Sequence, residues 1–243
     1  MNAQRPWTAV VVALAAVAAV SGCTRSLEMS YSPSLYKLPQ ANKVGGIAVG
    51  VGKLEDRRSW IDRSEPQSLG YVMQQGPWRF GLTFQGRDYV PVADLVQTLF
   101  VDEFGRAGLE AKPIAQVLTK ENPSAMRAAG QQNGVPYVLG GRILVFEIVN
   151  EQGFWTITSR RSVTLEISLA QVRSGDLVLD TTLTQTDRRD EGMGILHSTN
   201  VDRLMNTVFR QVVTQVVEQV AAKLALDPRD IAVRVTMIPN LAR

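Results

Sequence analysis

Cysteine and histidine are nearly missing from this chain of 243 residues: Cys23 is its one thiol and His197 its one imidazole. An internal disulfide needs two thiols and a zinc site three or four soft donors, so neither can organise the fold. A serine hydrolase triad would have to use His197, whose neighbour Ser198 stands too close in sequence to be its nucleophile, and no Gly-x-Ser-x-Gly elbow occurs. Phosphate loops are missing as well. Gly52-Lys53 is followed by Leu54 where a Walker loop needs Ser or Thr, and Glu55 stands where a dinucleotide fingerprint needs its third glycine. Charge of one sign is scarce, with 26 basic against 23 acidic residues and a net +3, far from the dense basic face of a nucleic-acid binder. Asp187, Asp190 and Glu191 surround Arg188-Arg189 and read as a self-neutralising turn rather than an acid–base pair. The expectation is a non-enzymatic chain with no metal, no cofactor and no nucleic-acid partner. A membrane-spanning run is also lacking. The uncharged stretch from Ala9 to Val20 is about a dozen residues, and a spanning helix needs about 20.

What is present begins at that stretch. A basic start at Arg5, a short apolar run and then small residues read as a secretory signal over residues 1–22. Val20-Ser21-Gly22-Cys23 looks like the lipobox of bacterial lipoproteins, which implies cleavage before Cys23 and acylation of its sulfur. Several acyl chains, each gaining about 0.8 kcal/mol per buried CH₂, hold firmly where one is marginal. Thr24 follows the cysteine where the inner-membrane retention signal has Asp, so the resemblance places the anchor in the outer membrane, facing the periplasm. Residues 23–43, with Pro33, Pro39, Ser30, Ser32 and Ser34, read as a tether; Tyr31, Leu35 and Tyr36 could instead dock on the domain as an added edge strand.

Residues 44–243, with a chain-wide 45% hydrophobic and 20% charged content, suit one domain. Ile47, Val49 and Val51 alternate with Ala48, Gly50 and Gly52, a strand with one crowded face and one small face that would let a helix approach. Residues 56–90 read as a long aromatic loop with a small hairpin near Trp78–Phe84; its rings either form a binding surface or pin the loop down. Pro91 opens a helix whose Val92, Leu95, Val96, Leu99, Phe100 and Phe104 share a face, stopped near Gly108. A short strand over Glu110–Val117 and a short helix over Ser124–Gln132 follow. Val135–Val149, Phe154–Val172 and Leu177–Asp187 are strands joined by good hairpin turns, with a bend expected near Ser159-Arg160-Arg161. The last long helix spans Asn200–Leu226, with Gln211, Gln215 and Gln219 flanking its apolar face as either a helix-binding stripe or a solvated edge. Ile231, Val233, Val235 and Met237 alternate as a further strand. The fold expected is α+β: an antiparallel meander with two long helices packed on one face.

With these elements in hand, the chain resembles the YajG-like family of bacterial lipoproteins. The carrying features are the lipobox ending in Cys23, Ile47-Ala48-Val49, the helix from Ala93-Asp94-Leu95 to Gly108-Leu109, the hairpin framed by Trp155-Thr156-Ile157-Thr158 and Ser174-Gly175, and the closing helix. That resemblance implies a lipid-anchored envelope protein and brings no catalytic residues with it. Two functions fit. One is a binding or assembly module that meets an envelope protein. The other is an auxiliary lipoprotein of a lipid or lipopolysaccharide transport system, in which Arg57, Arg58, Arg160, Arg161, Arg188 and Arg189 would converge to hold anionic groups by bidentate contacts. Guanidinium groups gathered on one rim beside Trp60, Trp78 or Trp155 favour lipid handling, and scattered ones favour the plain module. Oligomeric state is not legible.

Overall fold

The computed structural model describes residues 26–29, 31, 46–75, 78–152, 156–192 and 198–226; residues 1–22 expected as a leader, Cys23, most of the 23–43 segment, Trp155, His197 and the alternating Ile231–Met237 stretch lie outside them. The spine of the sheet is β7 (Tyr137–Gln152). Along one edge it pairs antiparallel with β8 (Thr156–Gln171), which pairs antiparallel with β9 (Leu177–Gly192). Along the other edge three strands share its length, all parallel to it. They are β2 (Ala48–Lys53) beside Tyr137–Leu139, β3 (Glu55–Asp56) beside Arg142-Ile143, and β4 (Tyr71–Gln75) beside Ile148-Val149. The sheet forks there. One arm continues from β2 to the parallel β6 (Glu110–Val117); the other runs from β4 to the antiparallel β5 (Trp78–Thr83) and on to the parallel β1 (Ser26–Glu28).

The meander is therefore antiparallel only from β7 to β9, and the sheet as a whole is mixed. The reason lies in element order. α1 (Val92–Arg106) separates β2 from β6, and α2 (Pro123–Asn133) separates β6 from β7. A helix between two strands brings the chain back to its starting end, so β2, β6 and β7 must run parallel. Three α-helices are present among the described residues, the two long ones and the short one expected over Ser124–Gln132, and they do not all share one face. α1 and α3 (Ser198–Leu226) pack into the main core, whereas Met126 and Ala129 of α2 pack with Ile114, Leu118, Val138 and Ala170 in a second core on the opposite face.

Local chemistry accounts for the boundaries. Pro91 precedes the first turn of α1, and Leu95, Val96, Leu99, Phe100 and Phe104 are buried on one stripe. The Asn122 side chain accepts the Ala125 N–H at 3.0 Å at the start of α2, which ends on left-handed Gly134. In β8, Val163, Leu165, Ile167 and Leu169 are fully buried under α3, while Thr164 and Glu166 lie on the other face and are half-exposed. Phe209 of α3 meets Phe146 edge-on at 5.3 Å between ring centroids. The small face of β2 does not receive a helix directly: Ile114 and Val135 cover Gly50, and Leu118 covers Gly52. The expected bend near Ser159-Arg160-Arg161 is absent, and β8 keeps regular register there; the irregularities fall on the facing β7, between Ile143 and Val145, and at Leu169-Ala170 of β8 against β9.

Two buried polar groups join layers. The Gln97 amide of α1 donates to Val51 O at 2.8 Å and to Ile114 O at 2.7 Å, where the β2–β6 register shifts after Gly52. Gln97→Leu keeps the bulk but leaves both carbonyls without that donor, and is expected to cost about 2 kcal/mol, measured as a lower urea midpoint at constant slope. Tyr31 lies 6.2 Å from Phe209 between ring centroids. Burial pushes its phenol above the ordinary value, and the neighbouring Glu103 carboxylate adds in the same direction. Folding thus favours the neutral phenol. Its contribution is complete below the free-chain value of about 10 and is lost as pH rises beyond it. Tyr31→Phe is expected to flatten this alkaline fall in stability, read from urea midpoints between about pH 9 and pH 11.

Candidate functional site

The face of β7–β8–β9 turned away from α3 is polar over most of its length. Register sets its rows: Arg142, Glu166 and Thr182; then Val145, Thr164 and Thr184; then Glu147, Ser162 and Thr186; then Val149, Arg160 and Arg188. Hydroxyls join neighbouring strands, Thr164 to Thr184 at 3.0 Å and Ser162 to Thr186 at 3.3 Å.

Ion pairs close the first part of this face. Arg142 contacts Glu121 at 2.7 Å, Glu55 at 3.2 Å and Glu166 at 3.6 Å; Glu55 also holds Arg57 at 2.6 Å. Lys120 bridges Asp180 at 3.1 Å and Glu166 at 3.6 Å. Burial works to raise the Glu55 carboxyl, but its contacts with Arg57 and Arg142 outweigh that and hold it below the usual carboxylate range. The hydrogen bond to Asp180 likewise holds the Lys120 ammonium above its ordinary value. A network already satisfied by its own counter-charges offers little to an ionic ligand.

Further along the face is a groove of about 390 Å³, lined by Ser59, Trp60, Gln74, Glu147, Ile148 and Val149. The turn after β3 makes one wall and β7 the other. What holds that turn is Arg58. Its side chain is fully buried, pairs with Asp56 through Nε at 2.9 Å and Nη2 at 2.7 Å, and donates to the carbonyls of Leu69 and Tyr71. The Arg58 guanidinium carbon also lies 5.6 Å from the centre of the Trp60 ring. The Trp60 indole N–H is buried and finds no acceptor among the described residues. On the opposite wall the Glu147 carboxylate faces Arg160 at 3.7 Å.

The six arginines singled out by sequence do not converge on one rim. Arg58 is buried beneath the groove wall and Arg57 belongs to the Glu55 network. Arg161 is fully buried on the α3 side of β8, with Nη1 donating to Ser159 O at 3.3 Å. Arg160 and Arg188 stand opposite one another on the polar face, each beside a carboxylate: Glu147 at 3.7 Å for Arg160, Asp190 at 3.9 Å for Arg188. Arg189 points to the other face and lies 3.8 Å from Asp187. Trp78 is exposed on β5. Sequence reasoning flagged Trp60 but not Ser59, Gln74 or Glu147, the other polar groups of the groove. The available signal was Glu147, a carboxylate set among the apolar residues of a long strand.

No helix among the described residues is long and apolar enough to cross a membrane, and no cluster of His, Cys, Asp and Glu there could hold a metal ion. No family model matches the chain, and no curated protein matches it. Solved structures do. Protein XCC0632 from Xanthomonas campestris, of the DUF330 family, is similar at 14% identity over 84% of this chain and 97% of its own, with a TM-score of 0.50. A neuraminyllactose-binding hemagglutinin homologue from Helicobacter pylori matches at 10% identity over 83% of this chain and 95% of its own, with a TM-score of 0.42. Lipoprotein GNA1162 from Neisseria meningitidis matches at 14% identity over 69% of this chain and 99% of its own, with a TM-score of 0.35. The first of these shows a shared fold: a mixed, curled sheet carrying helices, in an α+β chain.

Proposed function

We propose that this chain is a lipid-anchored envelope protein that acts without chemistry of its own, binding a partner through the groove between Trp60 and Glu147. The groove carries the reading. It combines an aromatic wall, an amide and a carboxylate in one concavity, the mix by which binding sites fix orientation, and it lies beyond the Arg142 and Lys120 ion pairs, with only the looser Glu147–Arg160 contact at 3.7 Å beside it. Scattering of the six arginines, with five of them beside carboxylates of their own, supports the plain binding module over anionic-lipid handling. The anchor is Cys23, and the outer membrane facing the periplasm follows from the lipobox with Thr24 after it.

The test uses the native host. A photocrosslinking side chain at Ser59 is expected to capture one envelope protein, to lose it on Trp60→Ala, and to differ from the same probe at Asp102 on exposed α1. Equal capture at both positions, or capture indifferent to Trp60, removes the groove reading, and labelled lipid in place of protein moves the function to lipid handling. Intact mass of the purified protein is expected to begin at an acylated Cys23. An unmodified thiol or a retained leader removes the envelope assignment.

A further inference from the structure

Among the described residues, β1, β6 and β9 end the arms of the sheet; the two-residue β3 also has a single neighbour, β7. Two of these edges are protected in the ways that discourage pairing with another chain. β1 is only 3 residues long, and β6 carries Lys112 and Pro113. β9 has neither defence. It runs for 16 residues without lysine or proline, and its centre, Thr181-Thr182-Leu183-Thr184-Gln185-Thr186, is uncharged and rich in β-branched residues. Within the described chain it pairs only with β8.

The charges that flank this centre are arranged for self-recognition. We infer that β9 pairs antiparallel with β9 of a second copy of this chain, about a two-fold axis at Thr184, joining the two sheets into one. In that register Thr184 meets itself, Thr182 meets Thr186, and Asp180 meets the copy's Arg188, all on the polar face. Asp180 and Arg188 both have exposed side chains, at 44% and 65%; Asp180 keeps Lys120 at 3.1 Å and Arg188 lies 3.9 Å from Asp190, so a contact between copies extends these pairs across the seam. Moving the axis one residue on, to Gln185, sets Asp180 against the copy's Asp190 instead, a like-charge clash that selects against that slip.

The helix layer agrees. α3 lies over β8 and β9, while α1 lies over β2 and β6. The flank of α3 that bears Arg210 faces α1, because Arg210 acts on the Tyr31 phenol together with Glu103 and Arg106 of α1. At about 100° per residue, Gln211 points away from the sheet, and Gln215 and Gln219 turn progressively onto the flank opposite Arg210, which overhangs the β9 edge. They make no hydrogen bond among the described residues. A two-fold axis normal to the sheet brings the copy's glutamines to the same seam, where amide can meet amide. This accounts for a stripe that the monomer leaves idle, and it is independent of the groove.

Thr184→Cys in the full chain, purified in detergent and mildly oxidised, is expected to give a disulfide dimer on a non-reducing gel; Thr182→Cys alone gives none, while Thr182→Cys with Thr186→Cys does. The wild-type chain, with Cys23 as its only cysteine, is the control. Asp180→Arg and Arg188→Asp are each expected to raise the dimer dissociation constant at least tenfold by sedimentation, and the double exchange to restore it. Eight residues separate the two along one strand, so only pairing between copies can produce that rescue. A chain that sediments as a monomer at tens of micromolar, a dimer without the Thr184→Cys crosslink, or no rescue by the exchange would each overturn the proposal.

Discussion

Arg58→Ala is expected to lower stability by about 3–5 kcal/mol, the loss that follows when one member of a buried ion pair is removed and its partner stays behind. Asp56 is the partner, its side chain only 8% exposed, and the carbonyls of Leu69 and Tyr71 lose their donor in the same step. The total stability of a domain is about 5–15 kcal/mol, so the variant stands near the limit of folding. Lysine does not rescue it, because one ammonium cannot reproduce a planar fork that meets a carboxylate and two carbonyls at once. Asp56→Asn with Arg58→Met should recover part of the loss by removing both charges together. Urea midpoints of the three variants measure this. If Arg58→Ala costs under 1 kcal/mol, the guanidinium is not the support of the groove wall that its contacts indicate. Loss of the turn would also release Trp60, so the same variant should abolish capture from a probe at Ser59.

Gly141→Ala follows in size. The backbone there has φ +149°, and a Cβ would overlap the Glu166 carbonyl oxygen on the facing strand. Backbone in the way cannot rotate aside as a side-chain tip can. The choices are to strain β7 or to break the β7–β8 ladder just before its register shift at Ile143. A loss of about 3 kcal/mol or more is expected. Gly86→Ala is the control, since it also has positive φ but has nothing nearby for a Cβ to strike. Its smaller effect would separate conformational strain from collision; equal effects would show that collision adds nothing at Gly141.

The elements were legible where periodicity was long. α1, α2, β6 to β9 and the start of α3 fall within a few residues of their sequence reading, because Leu95 to Phe104 repeat at helical spacing and Val163 to Leu169 at strand spacing. Pairing was less legible. A helix directly before β6 and another directly before β7 point to parallel neighbours, yet the apolar alternation of β8 suggested an all-antiparallel sheet. Short strands escape pattern reading altogether: Glu55-Asp56 is two residues and is held in place by Arg142 and by the edge of β7. The arginines were visible as pairs, but adjacent residues on a strand point to opposite faces, so Arg160 and Arg161 could never share one ligand. Glu147 became part of a site only when the turn bearing Trp60 folded across it, a contact between distant parts of the chain that no local pattern records.

The forked spine has a kinetic consequence. Val49 finds Tyr137 and Met73 finds Ile148 only after the intervening chain has been made, whereas β7, β8 and β9 need nothing beyond two local reversals. A polypeptide delivered amino end first therefore holds its β2–β6 and β4–β5 pairs without their shared central strand until Tyr137 arrives, and the late hairpins are the natural nucleus on which they condense. Substitutions in the hairpins should slow refolding, and those in β2 or β6 should instead hasten unfolding.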